Sequence, residues 1–334
     1  MNDEPNVGRV PTFDDVGAAA ARLAGVARRT PLLAGTPLDD LAGGRVLLKV
    51  ESLQHTGSFK IRGAYNRLVQ LGPQERAAGV VAFSSGNHAQ GVAAAARMLG
   101  IHAAIVMPAD APIAKLEGTR TLGAEIILYD RDRESREAIA SRLASERGAT
   151  LVPAFDDPHI IAGQGTVGLE LMTQAREFDA TPDQVLIGCS GGGLASGSAL
   201  AIRELSPNTE VLCVEPEDYD DTRRSLAAGH RVTIAPERRS ICDALLSPSP
   251  GVLAFALMRR LLTGGVTVTD AEVQAAMVWA FRHLRLVVEP GGAVALAAVL
   301  AGKVVTRGRT TAIVISGGNV DPAAFLEAFR SIRV

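Results

Sequence analysis

A lysine held between two apolar residues is the first feature of this sequence that could do chemistry. Lys60 lies between Phe59 and Ile61 in GSFKIRG, where the pattern predicts the start of a helix. Such a lysine either extends its ammonium group to the surface along its apolar stem or is held partly out of water. In the second case burial favours the neutral amine, which can act as a nucleophile and a base.

A glycine-rich turn is the sharpest local signal. In VLIGCSGGGLASGSAL an apolar strand runs into three glycines, Gly191, Gly192 and Gly193, and then into a helix. Glycines let backbone N–H groups approach an anion closely, and the N-terminus of the following helix adds donors and a favourable dipole. The turn therefore predicts a phosphate site, with a tight turn without ligand as the alternative.

The same turn nearly spells a dinucleotide fingerprint. Gly191, Gly193 and Ser196 approximate GxGxxG, and Glu215 closes the next strand at about the expected distance. Serine in the third place and the mid-chain position count against this interpretation, which also gives Lys60 no role. It stays open as an alternative from another functional class.

Two further turns have similar chemistry. SSGNHAQG (84–91) follows a predicted strand and offers hydroxyl, amide and backbone donors at a helix start, and VISGGNVD (314–321) ends another strand. The first suits a carboxylate, although helix capping explains it equally well. Ligands of open α/β sheets bind at the carboxyl ends of strands. Three such turns and a semi-buried lysine together suggest a phosphate-bearing aromatic cofactor that forms a Schiff base.

These turns belong to a regular alternation of strands and helices. Residues 79–157 alternate between apolar strands, the last of them TLVPAF (150–155), and helices, and this alternation predicts a parallel sheet with crossover helices. A second series contains predicted strands at 184–189, 210–216 and 310–316 and a predicted helix at 270–284, and we expect the apolar segment LLKVES (47–52) to join it. We therefore expect a small α/β domain (79–157) inserted into a large, discontinuous, cofactor-binding domain (1–78 and 158–334).

Composition excludes several classes of protein. The hydrophobic content of 47% allows a large core, and the net charge of −2 gives no reason to expect a nucleic-acid partner. No apolar run is long enough for a membrane span. Three cysteines without a CxxC pair favour a reducing compartment. We expect a cytoplasmic protein.

The four motifs TGSFKIRGA, SSGNH, SGGGLASG and SGGN resemble those of the serine/threonine dehydratase and serine racemase group of fold type II pyridoxal phosphate (PLP) enzymes. They occur in the order of that group, between about residues 31 and 321. The resemblance implies an α/β, two-domain, tryptophan synthase β-like fold with open, mainly parallel twisted sheets flanked by helices. It also implies a homodimer.

The resemblance assigns roles to individual residues. Lys60 would carry the cofactor and act as the base, and Ser85 would be the acid/base on the opposite face if its proton can move. The cofactor would contact Phe59, Lys60, Asn87, Gly191, Gly192, Gly193, Leu194 and Ser316. The substrate carboxylate would face Ser84, Ser85, Asn87 and His88. A histidine at a helix start is more often structural, so we do not expect His88 to be the base.

A metal site is also implied. Glu215, Asp221 and the carbonyl of Tyr219 match the groups that hold a divalent cation in racemase-like members, and oxygen ligands suit Mg²⁺ or Ca²⁺. An acidic surface loop explains the same residues equally well.

The function expected from the resemblance is a PLP-dependent ammonia-lyase. Its substrate would be a small β-hydroxy amino acid such as L-serine, L-threonine or 3-hydroxyaspartate, which it would convert to a 2-oxo acid and ammonia. The main alternative is a serine or aspartate-type racemase with a lyase side activity. A nicotinamide dinucleotide oxidoreductase is the alternative from a different class.

Overall fold

Two sheets organise the chain. The computed structural model describes residues 9–111 and 113–331, and this part of the chain forms sheets of six and four strands. The strands are β1 (Leu32–Leu33), β2 (Arg45–Val50), β3 (Val80–Phe83), β4 (Ala103–Pro108), β5 (Glu125–Tyr129), β6 (Thr150–Leu151), β7 (Gln184–Gly188), β8 (Glu210–Pro216), β9 (Gly264–Val268) and β10 (Thr310–Ile315).

Helices connect and cover these strands. They are α1 (Phe13–Leu23), α2 (Leu38–Ala42), α3 (Lys60–Leu68), α4 (Pro73–Ala78), α5 (Asn87–Leu99), α6 (Ile113–Thr121), α7 (Arg136–Arg147), α8 (Pro158–Glu177), α9 (Gly193–Leu205), α10 (Asp221–Ala228), α11 (Val252–Leu261), α12 (Asp270–Trp279), α13 (Pro290–Leu300) and α14 (Pro322–Ser331). None of the described helices is both long and apolar enough to cross a bilayer.

The larger sheet joins both ends of the chain. Its order is β1-β2-β10-β7-β8-β9, and β1 is the antiparallel member. Its central strands are buried on both faces: Ile313 packs in one hydrophobic cluster and Val314 in another. Strands covered on both sides need nearly continuous apolar sequences, which explains why TTAIVI and QVLIG were recognisable.

The smaller sheet has the order β5-β4-β3-β6 and is entirely parallel. The predicted α/β fold is confirmed. The division at residues 78–79 and 157–158 stays a prediction, and residues 1–8 and 332–334 of the proposed large domain lie outside the described residues. Helix α3 packs in one core cluster with strands and helices of the smaller sheet.

Two elements differ from the sequence-based expectation. The strand expected at TLVPAF ends at Leu151, because Pro153 lacks the N–H that would continue the ladder. The helix expected at 270–284 is α-helical to Trp279 and then continues as a π-helical segment (Ala280–Leu284). It ends at Arg285, which has a positive φ of 60°.

Candidate active site

A cavity of about 860 Å³ is lined by residues at the carboxyl ends of strands from both sheets. Its wall includes the turns after β3 (84–88), β7 (189–194) and β10 (316–319), together with the first residue of α3. The structure thus brings the three predicted turns and Lys60 to one place.

Lys60 begins α3, and its position is fixed by the neighbouring backbone. Phe59 N–H donates to the Ser316 carbonyl at 3.2 Å, and Ser58 forms an isolated bridge with Gly317. The Lys60 Nζ donates to the Ala154 carbonyl at 2.9 Å. Burial lowers the pKa of Lys60 to about 8, although the charge of Glu289 opposes this shift. The amine is therefore far easier to deprotonate than an ordinary lysine.

The glycine turn could not hold larger residues. A Cβ at Gly191 would lie 2.4 Å from ring atoms of Phe155, and a Cβ at Gly192 would lie 2.4 Å from Met258 Cε. Gly192 also has a φ of 94°, in the region that favours glycine. Helix α9 begins at Gly193, so its first backbone N–H groups, including that of Leu194, point out of the helix end that lines the cavity.

The SSGN turn has a similar construction. Helix α5 begins at Asn87, and Ser84 Oγ accepts a hydrogen bond from Gly86 N–H at 3.2 Å. Ser84, Ser85 and Asn87 all line the cavity. Hydroxyl groups and the open donors of a helix start suit a carboxylate.

His88 is a neutral, buried residue. Burial, followed by the charge of Lys60, lowers its pKa to about 3. Its Nε2 lies 2.9 Å from the Val152 carbonyl, which can only accept, so the proton is assigned to Nε2. Its Nδ1 is then a buried acceptor with no partner among the described residues.

Glu289 and Asn319 also line the cavity, although the sequence analysis assigned neither of them a role. Asn87 Nδ2 donates to Glu289 at 2.6 Å, and Asn319 Nδ2 donates to Asn87 Oδ1 at 2.7 Å. Burial raises the pKa of Glu289 to about 7. A Cβ at Gly317 would lie 2.1 Å from Glu289 Oε1, so SGGN leaves room for this carboxyl group. The only available signals were an acid before Pro-Gly-Gly and the last residue of SGGN.

Of the three predicted metal-binding residues, Tyr219 lines this cavity and Glu215 and Asp221 do not. Glu215 is the penultimate residue of β8 and accepts hydrogen bonds from Thr222 N–H at 3.0 Å and Arg223 N–H at 2.8 Å. Asp221 is fully buried, and neither of its carboxylate oxygens has a hydrogen-bond partner in the described chain. Burial raises the pKa of Glu215 to about 7. Burial and the charge of Glu215 raise the pKa of Asp221 to about 8.

The charge of the neighbouring Asp220 also raises the pKa of both carboxyl groups. Within the described residues, no group of three or more His, Cys, Asp or Glu side chains is arranged to hold a metal ion. Tyr219 is buried and lines the cavity, so its predicted contribution would come from its backbone carbonyl.

The site fits pyridoxal phosphate. It combines an amine whose pKa is lowered, a glycine cradle that a Cβ would fill, and buried acceptors without partners at His88 Nδ1 and Gln164 Oε1. The family model described as "Pyridoxal-phosphate dependent enzyme" matches residues 23–317. The chain therefore belongs to this family of cofactor-dependent enzymes.

Within this family, the chain is similar to ammonia-lyases and to a serine racemase. The chain is 45% identical to L-threo-3-hydroxyaspartate ammonia-lyase of Pseudomonas sp over 310 residues, which cover 93% of this chain and 96% of that protein. It is 41% identical to L-threonine ammonia-lyase of Thermotoga maritima over 310 residues, covering 93% and 76%. The structure of maize serine racemase superposes with a TM-score of 0.89 at 37% identity, covering 96% and 98%.

These similarities confirm the predicted serine/threonine dehydratase and serine racemase group and its fold type. They also confirm the predicted class of activity, a PLP-dependent lyase of the ammonia-lyase type. Lys60 and the glycine turn lie within the matched range.

Proposed function

We propose that this chain releases ammonia from small β-hydroxy amino acids such as L-serine, L-threonine or 3-hydroxyaspartate by α,β-elimination, leaving a 2-oxo acid. The observation that carries this proposal is the Lys60 amine, placed in the cavity with a pKa of about 8. When bound, pyridoxal phosphate supplies the electron sink that stabilises negative charge at the substrate Cα. The chain's own residues bind, orient and move protons.

Cofactor contacts follow from the cavity wall. The backbone N–H groups of Gly191, Gly192, Gly193 and Leu194 would bind the phosphate, because a helix N-terminus favours an anion. The ring would contact Phe59, Asn87 and Ser316. Ser316 is mostly buried, and its neutral hydroxyl would hold a proton on the ring nitrogen less strongly than a carboxylate would.

Substrate orientation belongs to the SSGN turn. Ser84, Ser85 and the N–H groups at the start of α5 would donate to the α-carboxylate. Asn87 would contribute through the N–H that Glu289 does not use. His88 would donate only through its backbone N–H, since its side chain presents an acceptor.

Proton transfer is assigned to Lys60 and Ser85. The neutral Lys60 amine would remove the Cα proton, and the Ala154 carbonyl, 2.9 Å from Nζ, would hold this amine during turnover, while it is not bonded to the cofactor. Ser85 would serve as an acid/base on the opposite face. If its proton moves, racemisation accompanies elimination, which is the second candidate function; the similarity to maize serine racemase favours keeping it. The dinucleotide alternative has no such support, because the glycine turn lies within residues 23–317, which match the model of a pyridoxal phosphate family.

We also propose a divalent cation at Glu215, Asp221 and the Tyr219 carbonyl. Two buried carboxyl groups with raised pKa values, one of them without hydrogen bonds, are stabilised when a cation neutralises them. Mg²⁺ or Ca²⁺ suits oxygen ligands. The thermal midpoint should rise with added Mg²⁺ in the wild type and not in Asp221→Asn; an equal rise in both would refute this site.

A homodimer and a cytoplasmic location complete the proposal. Phe281 and Leu326 expose 41% and 56% of their surface beside the aromatic cluster of Phe281, Phe325 and Phe329, which would suit a subunit interface. All three cysteines are free and buried, which suits a reducing compartment. Sedimentation of the wild type as a monomer at micromolar concentration would contradict the dimer.

The function is tested by measuring ammonia, 2-oxo acid and product chirality for L-serine, D-serine, L-threonine and the 3-hydroxyaspartate stereoisomers. Ammonia release from at least one substrate should disappear in Lys60→Ala and persist in Lys303→Ala, which removes a lysine that does not line the cavity. Release that survives in Lys60→Ala would refute the mechanism. Racemised substrate without ammonia would favour the racemase.

A further inference from the structure

Three basic side chains on the cavity wall already have acidic partners. Lys115 pairs with Asp243, which links α6 to the segment before α11. Arg131 Nε donates to Asp110 at 2.9 Å. Arg136 Nε donates to Glu137 at 2.8 Å, and the Arg136 guanidinium lies over the ring of Phe83. Their charges are therefore balanced locally.

Arg238 and Arg239 differ from these three residues. Both are exposed, and both line the cavity from the loop between α10 and α11. Within residues 9–111 and 113–331, neither makes an ion pair, a side-chain hydrogen bond or a ring contact. Glu237 lines the cavity beside them, and Glu217, Asp218 and Asp270 line a second pocket together with both arginines, but none of these carboxylates forms an ion pair with either guanidinium.

The other anionic groups expected in the cavity are accounted for elsewhere. The glycine turn receives the phosphate, and the SSGN turn receives the α-carboxylate. Two unpaired guanidinium groups at a cavity mouth attract a further anion, and the planar guanidinium fork matches a carboxylate. Because the arginines are exposed, this attraction should weaken with salt.

We propose that Arg238 and Arg239 determine specificity by attracting and binding the side-chain carboxylate of an acidic hydroxy amino acid. The enzyme then prefers such substrates to serine and threonine. This inference rests on the proposed function, which leaves open which hydroxy amino acid is used.

The test compares two ligands that differ only in the side-chain carboxylate and have no β-hydroxyl to eliminate. Calorimetry on the PLP-loaded enzyme measures the Kd of L-aspartate and L-alanine at low and high salt. The variants are Arg238→Gln/Arg239→Gln and the control Arg176→Gln/Arg307→Gln, which makes the same charge change at exposed positions outside the cavity.

The double variant should bind L-aspartate about 10-fold more weakly at low salt, with a smaller loss at high salt. L-alanine should bind within about twofold of the wild type, since it has no group for these arginines to hold. In the same double variant, the kcat/KM for L-threo-3-hydroxyaspartate divided by the kcat/KM for L-serine should be lower than in the wild type. The control should match the wild type.

Three results would overturn the inference: an equal loss for both ligands, no loss for either, or the same loss in the control. Failure of the proposed function gives a different result. In that case the wild type releases no ammonia from any substrate, while the ratio of L-aspartate to L-alanine affinity still tests the arginines.

Discussion

A buried charge cluster behind Lys60 gives the most demanding prediction. The cluster comprises Lys49, Glu51, Arg62 and Glu170, and none of its members lines the cavity. Arg62 lies two residues after Lys60 on α3 and has no exposed surface. Its guanidinium forms two 2.8 Å hydrogen bonds with Glu51 and two with Glu170, while Lys49 donates to Glu170 at 2.7 Å. The cluster therefore joins α3 to β2 and α8.

Replacing Arg62 with Met should be strongly destabilising. Glu51 is fully buried and would lose both hydrogen bonds to Arg62, keeping the hydrogen bond from the Thr30 hydroxyl at 2.5 Å and the more distant charge of Lys49. Leaving one partner of a buried pair unpaired costs about 3–5 kcal/mol. The total stability of a protein is only about 5–15 kcal/mol, so the loss should be plain in urea unfolding of cofactor-free protein.

Two further variants identify the cause. Arg62→Met/Glu51→Gln removes the stranded charge and should recover about half of the lost free energy of unfolding. Arg67→Met is the matched control on the same helix, because Arg67 makes one 3.2 Å ion pair with Asp157 in a partly exposed position. It should cost about 1 kcal/mol or less. If Arg62→Met cost no more than this control, the account of the cluster would be wrong.

Two other predictions concern the cavity itself. The first is the rate at which a small amount of acetylating reagent modifies Lys60 in cofactor-free protein, measured by peptide mass spectrometry. Because only the neutral amine reacts and burial lowers the pKa of Lys60 from 10.5 to about 8, this rate should rise with pH and reach half its maximum near pH 8. A midpoint near pH 10.5 would refute the desolvated lysine. Gly191→Ala should weaken cofactor binding about 10- to 100-fold, because its Cβ would overlap the Phe155 ring. Gly17→Ala has open space around its Cβ and should bind the cofactor like the wild type in the same titration.

The turns of the site could be recognised from the sequence because the residues that form each turn are close together in the chain. Each turn combines an apolar strand, small residues and a helix start within a few positions, so Lys60, Gly191 to Gly193 and Asn87 could be selected without knowing the fold. The strand predicted at TLVPAF is longer than the observed strand, because the prediction gave its apolar residues more weight than Pro153. The missing N–H of that proline decides the end of the strand.

Contacts between distant parts of the chain could not be read in this way. Glu289 meets Asn87 across 202 positions of sequence, and Asn319 meets it across 232. The pairing of β10 with β2 and β7 fixes where SGGN lies, and Gly317 of this turn accepts from Glu289 N–H at 3.2 Å, so Glu289 and Asn319 come together at the start of α5 only in the folded chain. The Arg62 cluster likewise joins three distant segments, and each of its charges looks like a surface residue in the sequence alone.

The central claim, that Lys60 is the residue that carries the cofactor, is tested most directly by reducing the PLP-loaded enzyme with borohydride and mapping the modified peptide by mass spectrometry. The chain has four lysines, Lys49, Lys60, Lys115 and Lys303, so the assignment is unambiguous. We expect the reduced cofactor on Lys60 alone, together with loss of ammonia release. Modification of another lysine, or of none, would contradict the account.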